Sequence, residues 1–448
     1  MLHQLENVIT SISDAVWPVF LPFMLIVGAI TSIRTIFIIQ KRTTKPAKLQ
    51  FKNIIGPASI SLGAMVGTGA VVGVLGAISK LYMKGQYNIE AMALWALIGA
   101  CIMIPVSYSE ALNSKIMKKG PREYISDMIS PKVGLFYAVS IVALIVFGFG
   151  GFQFSGIDSV FTIVASKFMN VELSLMQRYL FIVIPVIALV ALIVLSKKDD
   201  VFMSAMTYMI GSALAGYLLF ATVFIVKTSS YIPQFLSGMI EGMMNPVPML
   251  IGIPAGLILG MQKVLQTVET GLGCLAMSVQ QSDSEPREAG VISLIPSIVT
   301  LFVAIFITSY IASYGIEAGV IDYSLGLNAL ERLSTFFDTA ASVTGVFGII
   351  VLSLFTVLSA TTTILGSYYY LRKLFKKNSD NKNIVIYLVT IISAGTLAIF
   401  GANVVFEAVD LLLFVCCGLN VTALCIFTFK EWKKYEIVED NEDNQKSA

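Results

Sequence analysis

The feature that most constrains this chain is a series of long apolar runs separated by short polar connectors. A helix needs about 20 residues to cross the hydrocarbon of a bilayer. Runs of that length fall at roughly 14–40, 52–80, 90–115, 131–165, 176–196, 201–227, 246–280, 288–314, 345–371, 383–401 and 404–429. A segment inside lipid must satisfy its own backbone hydrogen bonds, which such runs can do only as helices. The expectation is therefore an all-α membrane protein of about eleven transmembrane helices. Composition agrees, with 56% hydrophobic and only 13% charged residues, about half the charge density of a water-exposed domain.

The connectors orient the bundle. With the N-terminus outside, the inside connectors and tail hold 22 of the 30 Lys and Arg residues. These are Lys41, Arg42, Lys45, Lys48 and Lys52, then Lys115, Lys118, Lys119, Arg122 and Lys132, then Lys197, Lys198 and Arg287, then the 372–382 and 430–446 clusters. Six (Lys80, Lys84, Lys167, Arg178, Lys227 and Arg332) fall outside, and Arg34 and Lys263 fall within helices. This asymmetry predicts a multi-pass protein of the cell (plasma or inner) membrane, N-terminus outside and C-terminus cytoplasmic. The connector 315–340 is long enough to hold an interfacial helix, and the tail after 433 is polar. The net charge of +2 gives no field for nucleic acid.

Several chemistries are excluded. The five cysteines (Cys101, Cys274, Cys416, Cys417, Cys425) lie in apolar runs without CxxC spacing, so no disulfide framework or zinc site is indicated. The single histidine, His3, leaves no histidine for a proton relay or a catalytic triad within the membrane. No cofactor and no obligate protein partner is implied, and an enzyme is not expected.

Irregular backbone at membrane depth is tolerated only where it lines a protein cavity. Two runs carry glycine patterns that invite it. The second holds Gly63, Val66, Gly67, Thr68, Gly69 and Ala70; the seventh holds Glu269, Thr270, Gly271, Leu272 and Gly273. Paired breaks in corresponding halves point to a transporter's binding site, although small residues also allow close helix packing. Buried ionisable residues are few. Asp158, with Gln153 nearby, sits in the fourth run and needs a partner or water. Glu110 lies near the end of the third run, where anchoring a connector is one role open to it, and Glu407 and Asp410 begin the last. In the ninth run Ser359, Thr362 and Thr363 lie at i, i+3 and i+4 on one helical face. Grouped oxygens of this kind suit a hard monovalent cation, although such hydroxyls commonly bond their own helix.

These residues carry a resemblance to the sodium-coupled alanine/glycine symporters, the amino acid–cation symporter family. Val66-Gly67-Thr68-Gly69-Ala70 is similar to that family's GTGN motif except in its last place. Lys263 to Gly273 resembles its second-break motif, with Glu269, Gly271 and Gly273 retained. Ser359 to Ser367 is similar to its hydroxyl-rich helix and keeps Thr363-Ile364-Leu365-Gly366, while Tyr108 to Ala111 resembles its Tyr-x-Glu-Ala segment. The matched stretches occur in order over residues 52 to 430.

The resemblance implies a leucine-transporter-like core of two inverted five-helix repeats. One N-terminal helix with its linker (1–48) would precede the first repeat (49–228) and the second (229–432), leaving a cytoplasmic tail (433–448). The broken first and sixth core helices would be 52–80 and 246–280. It implies a sodium site from carbonyls near Gly63 and Val66, the Ser359 carbonyl, and the Thr362 and Thr363 hydroxyls. It implies a solute site at Gly67, Thr68, Gly69, Gln153, Asp158, Glu269, Gly271, Gly273 and Ser367.

The sequence departs from the family at Ala70, Val268 and Ser367, and has an acid at Asp158 where asparagine is expected. Asp158 is therefore a candidate holder of a substrate amine or a coupling proton. The leading reading is Na+- or H+-coupled symport of an amino acid or related small amine-bearing solute by alternating access. A channel, a receptor, an intramembrane enzyme or an exchanger is the alternative.

Overall fold

Apolar segments without water to bond them close their backbone hydrogen bonds within the segment, and the computed structural model has this character throughout. It describes residues 2–42, 49–83, 85, 89–244, 255–280, 282–400, 402–431 and 433. Among them no strand occurs. Nine unbroken helices are long and apolar enough to cross a membrane: Ala15–Ile39, Ala91–Met117, Pro131–Lys167, Leu175–Leu195, Asp199–Lys227, Pro286–Glu317, Val346–Leu374, Asp380–Phe400 and Val409–Lys430. They match the first, third to sixth and eighth to eleventh expected spans. The second span is a bent pair, Asn53–Met65 and Thr68–Met83, turned by 63°.

The seventh expected span is described from residue 255 onward as two helices, Ala255–Val268 and Cys274–Val279. Its expected start at 246–254 lies outside the described residues, as do the linker 43–48 and the tail beyond 433. The expected connector helix is Ala329–Thr344. It is closed by a capping box in which the Asn328 side chain accepts from the Glu331 amide at 3.0 Å and Glu331 accepts from the Asn328 amide at 2.8 Å. Two helices lie where none is expected, Pro121–Met128 within a basic connector and Ile232–Met244. Ile232–Met244 forms a 13-residue helix, too short to cross a bilayer; it buries Phe235 and Met239 while Leu236 and Ile240 stay exposed.

Both glycine-patterned segments are broken at the glycines, each for a local reason. At the first, Val66 leaves the helical region (φ −85°, ψ 75°) and Gly67 is extended (φ −106°, ψ −161°) before Thr68 restarts the chain. At the second, Glu269, Gly271 and Gly273 all have positive φ, of 49°, 78° and 101°. Gly273 also abuts Pro121, whose Cγ would lie 2.9 Å from an added Cβ, so only glycine fits.

The halves on the side of the basic connectors, Asn53–Met65 and Cys274–Val279, are joined by Ser61 donating to Ser278 at 2.9 Å. Glu288 of the eighth span holds the start of the second, accepting from the Gln50 amide (2.7 Å) and Asn53 Nδ2 (3.0 Å).

The fourth span widens into a π-helical stretch at Phe147–Phe152, just before Gln153. Such single-turn widenings recur at functional sites. Three glycines in that stretch permit it; a Cβ at Gly150 would sit 2.6 Å from Ala394 Cβ and 2.7 Å from the Ile145 carbonyl. A turn later, Gly156 faces Thr68 of the first break, where an added Cβ would lie 2.6 Å from Thr68 Cβ.

Gly156→Val therefore drives Thr68 off its position. Overpacking of this kind costs about 1–3 kcal/mol, so the melting temperature in detergent falls by several degrees. Gly211→Ala, at a site with nothing within 4 Å, leaves it unchanged, and equal melting of the two variants would refute this packing.

Candidate cation and solute site

The first break is closed by the fourth and ninth spans. Gln153 Oε1 accepts from the Thr68 amide at 2.7 Å and from Thr68 Oγ1 at 3.0 Å. The amide freed by breaking the helix is thus satisfied by a neutral carboxamide. Thr363 Oγ1 donates to the Gly63 carbonyl at 2.9 Å and lies 3.1 Å from the Ser359 carbonyl, which also accepts from Thr362 Oγ1 at 2.7 Å. Val66, Ser359, Thr362 and Thr363 are all buried. Gly67 is in the same cluster, since a Cβ there would stand 2.8 Å from Thr363 Oγ1.

Four oxygens expected to hold a cation, the Gly63 and Ser359 carbonyls and the Thr362 and Thr363 hydroxyls, therefore meet across the second and ninth spans. Oxygen-only donors of this type suit a hard cation. Among the described residues no group of three or more His, Cys, Asp or Glu side chains is placed to hold a metal.

Beside this cluster lies a cavity of about 180 Å3. Its floor is Met65, Gly69, Gln153, Glu269 and Thr363, at the level of both breaks. Its walls rise away from the basic connectors along Gly73, Gly76, Ala77 and Lys80 of the second span and along Gln262 and Lys263 of the seventh. Asp410 of the last span joins them, accepting from Gln262 Nε2 at 2.7 Å, and Arg332 of the connector helix lies near the mouth. One floor atom has no partner: Glu269 Oε2 is buried without a hydrogen bond.

The second break is held differently. Glu110, fully buried in the third span, accepts from the Ala276 amide at 3.0 Å, with the amides of Gly273 and Leu275 also facing it. Asn420 of the last span donates to Glu110 Oε2 at 3.2 Å and to the Gly271 carbonyl at 2.8 Å, and accepts from the Tyr124 hydroxyl. Tyr137 donates to the Leu272 carbonyl at 2.6 Å. Ser107 bonds Thr270 across 3.1 Å.

Of the expected solute residues, Gly69, Gln153 and Glu269 line the cavity, and Gly67 and Thr68 border it through Gln153. The other four neither line nor border it. Gly271 and Gly273 turn the backbone of the second break beneath it. Ser367 donates to the Ile364 carbonyl of its own helix at 2.6 Å.

Asp158 lies apart from the other expected solute residues. It lies outside the cavity lining and forms a two-point ion pair with Arg178, Nε to Oδ1 at 2.8 Å and Nη2 to Oδ2. Its partner is an arginine that the sequence assigned to a connector. Glu110, read from sequence as a possible loop anchor, is instead the central polar residue of the second break. Asn420 and Arg332 were missed. A lone asparagine within LLLFVCCGLNVTAL was the available signal for the first.

Comparison with known proteins bears on the whole chain. The family model described as the sodium:alanine symporter family matches residues 2–448. No curated protein matches the chain. Among solved structures, a substrate-bound, outward-open Na+-coupled sialic acid symporter is similar at 16% identity and a TM-score of 0.47, over 90% of this chain and 82% of that one. A nucleobase-cation-symport-1 family transporter, closed with bromovinylhydantoin bound, is similar at 12% identity and a TM-score of 0.44, over 79% and 75%. The full-length family match and the helical architecture agree: this multi-pass membrane protein belongs to the sodium:alanine symporter family and performs cation-coupled symport by alternating access.

Proposed function

We propose that the chain carries an amino acid with Na+, binding the ion at the second and ninth spans and the solute in the adjoining cavity. The observation that carries this reading is the convergence of the Gly63 and Ser359 carbonyls on the Thr363 hydroxyl, one side chain away from the cavity floor. With Val66 at the break and Thr362 alongside, these atoms supply the oxygen shell that replaces the water of a hard cation. Thr363 belongs both to this cluster and to the cavity lining, which supports direct coupling of ion and solute.

The solute's carboxylate meets the backbone of Gly69 and the restarting helix, where the partial positive charge of a helix N-terminus favours an anion. Its amine turns to Glu269, whose Oε2 lacks a bond. An unpaired buried carboxylate oxygen is costly, and an ammonium satisfies it. Gln153 holds the Thr68 amide and borders both sites, so it sets the shape of the floor.

The charge asymmetry of the connectors supports the orientation, with the basic side cytoplasmic and the N-terminus outside. The cavity walls then rise toward the exterior, while the halves of the broken spans on the other side are tied to one another. That arrangement corresponds to the outward-facing half of the cycle. One charge moving down 100 mV supplies about 2.3 kcal/mol, or roughly 50-fold accumulation.

Uptake of labelled amino acids into proteoliposomes, with and without an inward Na+ gradient, tests the reading. Uptake should require the gradient, and equal uptake without it would overturn Na+ coupling. Thr363→Ala removes one ligand and should raise the half-saturating Na+ concentration at least tenfold. Thr363→Ser, which keeps the hydroxyl, should stay close to the parent.

Glu269→Gln keeps the size and removes the charge. It should raise the amino-acid KM at least tenfold while the half-saturating Na+ concentration moves little. A larger change in Na+ dependence than in amino-acid KM would assign Glu269 to the ion instead.

A further inference from the structure

One side chain, Gln153 of the fourth span, stands between the oxygen cluster and the amides of the first break. Its Oε1 accepts from the Thr68 amide at 2.7 Å and from Thr68 Oγ1 at 3.0 Å. Because a backbone amide can only donate, the oxygen of the carboxamide is fixed on this side. Its nitrogen is held far less firmly. Gln153 Nε2 reaches the Gly148 carbonyl at 3.5 Å, beyond the usual range of such bonds. That carbonyl belongs to the π-helical stretch Phe147–Phe152, which Gln153 directly follows. The carboxamide is therefore kept in place chiefly by Thr68.

Gly67 shows how close the same oxygen comes to the expected cation ligands. A Cβ on Gly67 would collide with Gln153 Oε1 and stand 2.8 Å from Thr363 Oγ1. The two oxygens thus converge on one point of the backbone, directly after Val66. Thr363 Oγ1 in turn donates to the Gly63 carbonyl. Gln153 is buried, and both Gln153 and Thr363 line the cavity. A neutral carbonyl oxygen is a ligand that a hard cation accepts, and this one has donors that a solute can replace.

A carboxylate is the competitor for those donors. Bonds to an ionised acceptor are roughly twice as strong as bonds to a neutral one, so a carboxylate displaces a carboxamide from the Thr68 amide. Gln153 Oε1 then loses its donor, and a buried acceptor without one is unfavourable. A cation beside Thr363 supplies what it has lost.

Resting on the Na+ and amino-acid reading above, we propose that Gln153 couples the two ligands. Its Oε1 caps Thr68 while the site is empty and turns to the cation once the solute's carboxylate takes the Thr68 amide. The cation then gains an oxygen only when the solute is bound, so each ligand tightens the other by the same factor.

The test is a Na+ titration of the purified full-length protein in detergent, without and with saturating L-alanine, read from the melting temperature. Ligands that bind the folded state raise that temperature. In the parent, L-alanine should lower the half-saturating Na+ concentration about tenfold, within the usual range for coupled sites. Gln153→Leu, which lacks the oxygen, should still bind both ligands but bring that factor close to one. Gln153→Glu puts a carboxylate where the solute's own would lie. It should lower the half-saturating Na+ concentration without L-alanine and raise the half-saturating L-alanine concentration, whereas damage to folding would weaken both. An unchanged factor in Gln153→Leu would overturn the coupling role while leaving amino-acid symport intact. So would a Gln153→Glu variant that binds both ligands more weakly. L-Alanine that fails to shift the melting temperature at any Na+ concentration would remove the amino-acid reading and this inference together.

Discussion

The structure depends on one requirement: every backbone group exposed by breaking a helix inside the hydrocarbon must find a partner in the protein. Two helices are broken among the described residues, and six side chains of the surrounding spans serve the breaks. Gln153 and Thr363 attend the first, and Ser107, Glu110, Tyr137 and Asn420 the second. The glycines permit the breaks, but these side chains make them affordable in lipid. They come from the third, fourth, ninth and eleventh spans, so the breaks also fix how those spans pack.

The same requirement separates charges compensated within the chain from those that are not. Asp158 has Arg178, Asp410 has Gln262, Glu288 has Gln50 and Asn53, and Glu110 has the amides of a helix start and Asn420. Each is compensated within the protein, as burial demands. Glu269 and Arg332 instead present unsatisfied atoms at the edge of one cavity. An acid in a transmembrane segment is therefore a weak indicator of function by itself, and the informative property is whether its partner belongs to the chain.

That distinction explains what could be read from the sequence. The spans were legible because a bilayer imposes a length and hydropathy that no tertiary detail overrides. The breaks were legible because Gly67, Gly69, Gly271 and Gly273 cluster where apolar helices would not otherwise place them. The oxygen cluster was legible because Ser359, Thr362 and Thr363 share a face by spacing alone. The pairings were not. Asp158 and Arg178 are 20 residues apart with an apparent span boundary between them, and Glu110 meets Asn420 across 310 positions. Arg332 sits in a connector, and nothing in its local pattern announces that the helix folds back over a cavity. Ile232–Met244 escaped notice because a short amphipathic helix has no bilayer-length signature.

The two breaks are held with unequal strength, and this bears on which side of the molecule yields during transport. The Gln153–Thr68 and Thr363–Gly63 bonds join neutral groups, each contributing about 0.5–1.5 kcal/mol net. At the second break Glu110 gathers three backbone amides and Asn420, with Tyr124 and Tyr137 alongside. On the proposed reading, rearrangement at the first break exchanges weak bonds for contacts with a cation and a solute that can replace them. Rearrangement at the second strands a buried carboxylate unless Asn420 and the Gly273–Ala276 backbone move with it. The third and eleventh spans are thus tied to the lower half of the seventh as one unit. On the proposed reading the ion and solute bind beside the more readily altered break, where their binding energy acts directly on the element that has to change.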